Sequence, residues 1–268
     1  MINLETVFDK TKPGGIQYYR ARYDRADFAA LLGRQLQSWM RFGYGASFQF
    51  FRLEEDQNQG KLVSDPDAAN VDSANYFERK AFAGPYIGLQ IDSKNSKALP
   101  TRGFVLDAGL RSLLAVDGKS NNVTQLHSDL RLYASFKSKA VIVYAFRLGA
   151  AHNFGKYEFQ QAQYLGGTTN LRGYRRDRFA GKSMVYNNME IRWKIANFKT
   201  YLLPGAIGIF VFNDVGRVWV PDEKSNDWHV GNGGGIWLAP VRRFVFTAAY
   251  TRSKEEKALA LLTFGFQF

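Results

Sequence analysis

Histidines and glycine-rich runs are the first places to look for chemistry in this sequence, and they offer little of it. The three histidines, His127, His152 and His229, stand at no metal-ligand spacing, and the chain contains no cysteine. Neither a Gly-x-Ser-x-Gly nor a His-Glu-x-x-His motif occurs. The run from Gly231 to Gly235 lies in a predicted strand with no helix after it, so it is not a dinucleotide fingerprint. The sequence therefore predicts no catalytic residue, no metal site and no cofactor.

The net charge of the 268-residue chain is +12, from 36 Lys and Arg against 24 Asp and Glu, which points to an anionic partner. Nucleic acid is disfavoured as that partner, because the basic and aromatic residues follow the strand pattern described below. A hydrophobic content of 46% excludes a disordered chain. The longest near-apolar stretch, residues 202–212, is much shorter than the roughly 20 residues of a spanning helix. The lack of cysteine suits passage through an oxidising periplasm. No signal peptide follows Met1, so if the protein is exported, we expect this chain to be its mature form or a shortened one.

Apolar and polar residues alternate with a period of two along most of the chain, which predicts strands. The segments Trp39–Phe51, Val123–Phe136 and Val185–Ile195 each have one apolar face and one charged or small face. Long segments with aromatic apolar faces are typical of transmembrane barrel strands, which span about 9–11 residues between lipid and lumen. We therefore predict an all-β fold, a transmembrane antiparallel β-barrel. Periodicity alone leaves a long-stranded soluble sandwich open.

The alternating segments predict about twelve strands. Long loops and shorter turns alternate between them, as in bacterial barrels with long extracellular loops and short periplasmic turns. The second predicted strand could instead hold two short strands around Asp24–Asp27. The predicted strands are Asn3–Asp9, Ile16–Leu32, Trp39–Leu53, Phe77–Asp92, Gly103–Val116, Val123–Phe136, Ala140–Ala151, Met184–Ile195, Ala206–Val215, His229–Leu238, Arg243–Arg252 and Ala258–Phe268.

One predicted strand does not alternate. Between Ala206 and Asp214, isoleucine and valine fill one face and Phe210 and Phe212 lie on the other. A strand that is apolar on both faces is covered on both. We therefore expect the long loop His152–Ser183 to fold into the lumen and cover this strand.

The same loop carries a recognisable motif, Tyr164-Leu-Gly-Gly-Thr-Thr-Asn-Leu-Arg-Gly-Tyr174. Further on stand Asn-Met-Glu190-Ile-Arg, Phe-Asn-Asp214-Val-Gly-Arg-Val-Trp and the ending Thr-Phe-Gly-Phe-Gln-Phe268, and a Pro-Thr-Arg-Gly turn precedes them. In this order and spacing, the set resembles the barrel domain of the BamA-type outer-membrane assembly factors, the bacterial surface antigen superfamily. The resemblance covers the chain from Ser93 to Phe268.

The resemblance implies roles for three groups of residues. In that family the glycine-arginine motif lies in the sixth extracellular loop, which folds back into the lumen. Here the motif consists of Gly166, Gly167, Leu171, Arg172, Gly173 and Tyr174. Arg172 would pair with the inward-facing Glu190 and Asp214, and a planar, permanently charged guanidinium suits two carboxylates. The third group lies on one lipid face of the last strand and resembles the signal by which assembly machinery recognises barrel proteins. It consists of Phe264, Phe266 and Phe268.

The resemblance also implies a location and a function. The chain would be a non-enzymatic barrel of the bacterial outer membrane that aids the insertion, assembly or translocation of proteins there. Its expected partners are client outer-membrane or secreted proteins, periplasmic accessory proteins, and outer-membrane lipid and lipopolysaccharide. We expect one barrel domain over residues 1–268, with no POTRA or enzymatic domain. The alternative is a membrane anchor or export pore for a passenger domain of phosphoesterase or phospholipase type.

Overall fold

The computed structural model describes residues 18, 21–61, 64, 77–136, 141–199, 204–221, 226–241, 243–256 and 258–268. Within these residues, eleven antiparallel strands form one sheet, in which consecutive strands of the sheet pair with each other. Two short strands, β7 and β8, pair with each other inside the loop between β6 and β9. The strands of the main sheet are β1 (Tyr23–Gln37), β2 (Met40–Leu53), β3 (Lys80–Asp92), β4 (Gly103–Ala115), β5 (Val123–Ser135), β6 (Ile142–Gly155), β9 (Ser183–Lys199), β10 (Pro204–Trp219), β11 (His229–Pro240), β12 (Phe246–Ser253) and β13 (Leu259–Phe264).

The all-β prediction is confirmed, and eleven of the twelve predicted strands have a counterpart in the sheet. The predicted strand Asn3–Asp9 lies outside the described residues. β1 begins at Tyr23 and runs unbroken to Gln37, so the alternative of two short strands around Asp24–Asp27 is wrong. The pair β7 (Gln163–Leu165) and β8 (Phe179–Gly181) was not predicted, because three residues are too few to show a period.

The two faces of the sheet differ as the alternation predicts. On β2, the Phe48 side chain is 49% exposed while its neighbour Ser47 is fully buried. Ile191 on β9 is likewise exposed, whereas the flanking Glu190 and Arg192 are buried. A surface of exposed aromatic and aliphatic side chains around a polar, buried interior is the pattern of a transmembrane barrel.

The loop between β6 and β9 fills the space that the sheet encloses. At one side of the sheet, Gln160 in a short 3-10 helix accepts a hydrogen bond through its carbonyl from Arg25 Nη1 on β1, at 3.2 Å. At the other side, Gly173 lies against Gly231 on β11 and Thr251 on β12. Laid flat, β1 and β11 would be about 40 Å apart at the usual strand spacing. The sheet therefore curls around this loop, which puts the loop in the lumen.

The two ends of the barrel have different connections. One end, called here the inner end, carries the connections 38–39, 93–102, 136–141, 200–203 and 241–245. The other, called the outer end, carries the connections 54–79, 116–122, 156–182, 220–228 and 254–258. Short turns at one end and longer loops at the other match the periplasmic and extracellular sides of bacterial barrels. In the described part of the chain, no helix has the length and apolar character needed to cross a membrane.

Candidate functional site

Three glycines give the luminal loop its tight path. Gly166, Gly167 and Gly173 have φ angles of +130°, +82° and +96°, which side chains other than glycine rarely adopt. A Cβ at Gly166 would stand only 2.4 Å from the carbonyl oxygen of Arg175. The loop therefore doubles back on itself at these positions, and this path points Arg172 towards the wall of the barrel.

Arg172 is bound by carboxylates from two neighbouring strands. Its Nε and Nη2 donate to the two oxygens of Asp214 on β10, at 2.7 and 2.8 Å, and its main-chain N–H adds a third bond at 2.9 Å. Its Nη1 donates to Glu190 Oε2 on β9 at 2.5 Å. The guanidinium carbon also lies 3.5 Å from the centre of the Phe212 ring. The structure thus brings the predicted trio together, with one face of the guanidinium on an aromatic ring.

This cluster lies in the interior of the protein. The side chains of Glu190 and Asp214 are fully buried, and that of Arg172 is 5% exposed. Burial by itself would lower the pKa of Arg172, but the hydrogen bonds and charges of Asp214 and Glu190 outweigh it and raise the pKa. Arg172 therefore keeps its charge. Removing one member of such a cluster leaves a buried charge without a partner, which is far costlier than loss of a surface ion pair.

The remaining motif residues fix the loop by packing. Leu171 is fully buried, and Tyr174 is almost so. They form an apolar cluster with Leu165, Phe179, Tyr186 and Val218. Tyr186 and Val218 belong to β9 and β10, so this cluster attaches the loop to the same strands that supply Glu190 and Asp214. Packing and ion pairing therefore hold the loop at neighbouring points.

Comparison with known proteins decides the family. Residues 7–268 match the family described as the Omp85 superfamily domain. The chain belongs to the Omp85 superfamily. Its fold is similar to the crystal structure of BamA from Haemophilus ducreyi lacking POTRA domains 1–3, at 16% identity and a TM-score of 0.62. That match covers 90% of this chain and 55% of the other, so the chain spans about half the length of this relative. A comparison with curated proteins gives no match.

Membership of the Omp85 superfamily places the barrel in the bacterial outer membrane. The inner end then faces the periplasm, and the outer end faces the exterior. Among the described residues, no group of three or more His, Asp or Glu side chains is placed to hold a metal ion.

A second cluster in this Omp85 barrel was missed by sequence analysis. Asp129 on β5 accepts hydrogen bonds from Arg147 Nε on β6, at 2.7 Å, and from the Tyr186 hydroxyl on β9, at 2.5 Å. Arg147 Nη1 in turn donates to the carbonyl oxygen of Thr169 in the luminal loop, at 2.6 Å. The cluster thus holds the luminal loop at Thr169, just before Asn170 in the sequence, whereas Arg172 holds it after Asn170. Its sequence signal, charges on the inward face of a strand, occurs on most strands and singles out none of them.

The end of the chain departs from the prediction. The predicted last strand, Ala258–Phe268, stops at Phe264, and Gly265 follows with a φ of +96°. Phe264 is 69% exposed on the lipid face, as predicted. Phe266 and Phe268 instead turn into the lumen, so their predicted place on that face is wrong. The reason is Gly265, whose backbone conformation breaks the period of two.

Arg192 holds this inward segment. Its guanidinium carbon lies 3.8 Å from the centre of the Phe266 ring, and its Nη2 donates to the main-chain oxygen of Phe268 at 2.7 Å. Its Nε donates to Glu190 Oε1 at 2.6 Å. Glu190 therefore bridges two arginines, one from the luminal loop and one that binds residues 265–268, called here the end segment.

The inner face of β10 is covered by more than the predicted loop. Arg172 covers Phe212, but the ring of Phe210 meets Phe266 of the end segment, with 6.2 Å between ring centres. Leu99, from the inner-end turn 93–102, packs against a second apolar cluster that contains Phe210 and Phe212. The loop His152–Ser183 thus covers one part of this strand, and two other elements cover the rest.

Proposed function

We propose that this chain is an assembly barrel that helps other proteins insert into, or cross, the outer membrane, and that it does so without catalytic chemistry. Its membership of the Omp85 superfamily and its likeness to BamA support this function. The clients would be outer-membrane or secreted proteins, delivered by periplasmic accessory proteins, with outer-membrane lipid and lipopolysaccharide around the barrel.

The observation that carries the proposal is the shortness of the last strand. β13 has six residues, whereas β9 and β10 have 17 and 16. The chain leaves the sheet at Gly265, so β13 offers few backbone groups to a strand on its free side. An edge with few hydrogen bonds opens more easily, and an opened edge in lipid exposes unpaired N–H and C=O groups. A client strand could satisfy those groups by adding to the edge.

The filled lumen supports the same function. The luminal loop makes hydrogen bonds to strands at both sides of the sheet and is anchored through Arg172 and Arg147. A passive diffusion porin keeps an open aqueous channel. A barrel whose lumen is occupied must act at its wall or by moving the loop. We therefore favour assistance at the edge over passive permeation.

The test is client insertion into vesicles. The purified barrel is reconstituted, an unfolded outer-membrane barrel protein is added, and its folding is followed by the gel shift between unboiled and boiled samples. We expect faster insertion than into empty vesicles. Gly265→Ala should reduce the gain, because a side chain disfavours the positive φ and favours continuation of β13.

Gly118→Ala is the matched control. Gly118 also has a positive φ, and a methyl group added there would meet free space, but this glycine lies in an outer-end loop. If insertion is no faster than into empty vesicles, the assembly function is rejected, and the alternative function of a membrane anchor or export pore is favoured. Equal effects of the two substitutions would reject the role of the edge.

A further inference from the structure

Cations are unevenly distributed between the two ends of the barrel. Exposed basic side chains gather at the inner end, and five of them are called here the inner cations: Arg34, Lys97, Arg102, Lys199 and Arg243. Within the described part of this end, the acidic residue is Asp92, and its carboxylate pairs with Lys94 at 3.2 Å. The inner cations take part in no ion pair with another described residue. They therefore present uncompensated positive charge.

The outer end is different, because its cations stand among carboxylates. Lys119 pairs with Glu78 at 2.7 Å, and Arg52 pairs with Glu54 at 3.0 Å. Arg175 and Arg178 share Glu256. Among the described residues of the two ends, the excess of positive charge thus lies where the short turns are, and not where the loops are.

Exposed apolar side chains stand next to the inner cations. Trp193 on β9 pairs in register with Ile142, the first residue of β6 at the inner end, and is 45% exposed, and Phe244 beside Arg243 is 49% exposed. Trp39, in the turn just after β1, is exposed as well. Aromatic rings of this kind mark the depth of the lipid headgroups in a barrel, with the apolar band on one side and water on the other. The inner cations therefore lie at the height of lipid phosphates.

We propose that the inner end is a binding surface for anionic phospholipid headgroups in the periplasmic leaflet. Lys and Arg near an anionic membrane surface attract it, and a guanidinium can bind phosphate oxygens in bidentate fashion. A zwitterionic lipid also has a phosphate, but its ammonium group cancels the net attraction. The surface therefore selects lipids by net charge, and it does so on one side of the barrel only.

Two tryptophans on neighbouring strands allow a test within one protein. Trp193 on β9 pairs with Ile142, the inner-end residue of β6, and Trp219 is the outer-end residue of β10; both tryptophans are exposed. Each is kept as the single tryptophan, the others being replaced by phenylalanine. The barrel is reconstituted in symmetric vesicles of phosphatidylcholine with roughly 30% phosphatidylglycerol. Either lipid carries brominated chains, and fluorescence quenching reports which lipid contacts each tryptophan.

We expect Trp193 to be quenched preferentially by brominated phosphatidylglycerol, with a relative binding constant about fivefold or more above that for phosphatidylcholine. Trp219 should show little preference. The preference at Trp193 should fall as salt is raised, because exposed charges are screened. Replacing the inner cations by glutamine should abolish it.

The matched control replaces an equal number of exposed outer-end cations by glutamine, which lowers the net charge by the same amount. These are Arg79, Lys119, Lys156, Arg176 and Lys254. The control should leave the preference at Trp193 unchanged. Equal quenching of Trp193 by the two lipids, or a loss of preference in the control, would overturn the proposal. The first result would instead favour an acidic protein as the partner of the inner cations. Lipid contact is read without any client, so the outcome is independent of assembly activity.

Discussion

Gly231 on β11 and Arg172 in the luminal loop lie so close that a side chain on the first would collide with the second. A Cβ built at Gly231 would stand 1.7 Å from the carbonyl oxygen of Arg172. Contacts this short do not occur between a carbon and an oxygen that are not bonded. The loop can therefore reach Asp214 only because the strand beneath it lacks a side chain at this position.

Gly231→Ala should accordingly lift the loop away from the wall while the strands stay paired. The expected result is faster cleavage of the loop by proteinase K, by about tenfold for a change of 1.4 kcal/mol in its opening free energy. The control is Gly43→Ala, because a Cβ at Gly43 would make an ordinary contact of 3.9 Å. Equal cleavage of both variants would show that the close approach is not needed.

Arg172→Ala removes the charge that two buried carboxylates share. Breaking such a pair typically costs about 3–5 kcal/mol, and water in the lumen should keep the cost near the lower figure. We expect the loop to become sensitive to proteinase K while the unboiled protein still migrates as a folded barrel. Arg172→Lys should restore little, since an ammonium cannot reproduce the planar fork of donors. Arg176→Ala is the control, because that side chain is 86% exposed. A protected loop in Arg172→Ala would contradict the anchoring role.

Arg192→Ala should release the end segment, because this arginine contacts both the Phe266 ring and the main-chain oxygen of Phe268. The chain has no cysteine, so Gln267→Cys reports the release by its rate of reaction with a water-soluble maleimide. We expect that rate to rise about tenfold or more, in proportion to the open population. Arg192→Lys should rescue it in part, through the charge alone.

The bridge through Glu190 predicts a pattern among three variants, each made in the Gln267→Cys background. Arg192→Ala should speed the maleimide reaction and leave the loop protected from protease, while Asp214→Asn should do the reverse. Glu190→Gln should do both, because Glu190 binds an arginine of each element. If all three variants expose both elements equally, the barrel has loosened as a whole and the bridge has no separate role.

The two faces of β3 provide a test of the membrane placement. Ile87 lies on the apolar face and is 46% exposed, whereas Gln90 lies on the luminal face and bonds to Asp107. Ile87→Arg should destabilise the barrel by about 2–4 kcal/mol if it sits near the bilayer midplane. Gln90→Arg should cost much less, because its charge meets water and a carboxylate. Unfolding in urea from vesicles would measure both, and equal costs would favour a soluble sandwich.

The strands could be predicted from the alternation, because each residue of a strand and its second neighbour face the same side, which is here either lipid or lumen. The Arg172 cluster came from the resemblance, since nothing local to Glu190 or Asp214 says which distant arginine they bind. The prediction for the end segment was wrong for a physical reason. Phe264, Phe266 and Phe268 keep a spacing of two in the sequence, but the backbone conformation of Gly265 puts the last two on the luminal side. Whether Gly265 takes a positive φ depends on what its successors meet, here Arg192, and that contact spans 76 residues of sequence.

Two adjacent residues in the outer-end loop after β12 should change the stability of the barrel in opposite directions as the pH falls. Burial would raise the pKa of Glu255, but the hydrogen bond and charge of His229, at 2.7 Å, lower it below its usual 4.5. A carboxyl with a depressed pKa stabilises the folded state above its unfolded pKa, and that contribution is lost as the pH falls through the folded pKa. Glu256 is the reverse case, because burial raises its pKa despite Arg178 and Arg175. Its charged form therefore destabilises the folded state, and protonation in acid removes that destabilisation.

The measurement is the midpoint temperature of the gel shift for wild type, Glu255→Gln and Glu256→Gln between about pH 6 and pH 3. The advantage of wild type over Glu255→Gln should shrink as the pH falls below about 4.5, whereas wild type should gain relative to Glu256→Gln over the same range. Because the two residues are neighbours in one loop, a general acid effect on the barrel would move both differences the same way. Parallel changes would therefore contradict the assignment of opposite pKa shifts.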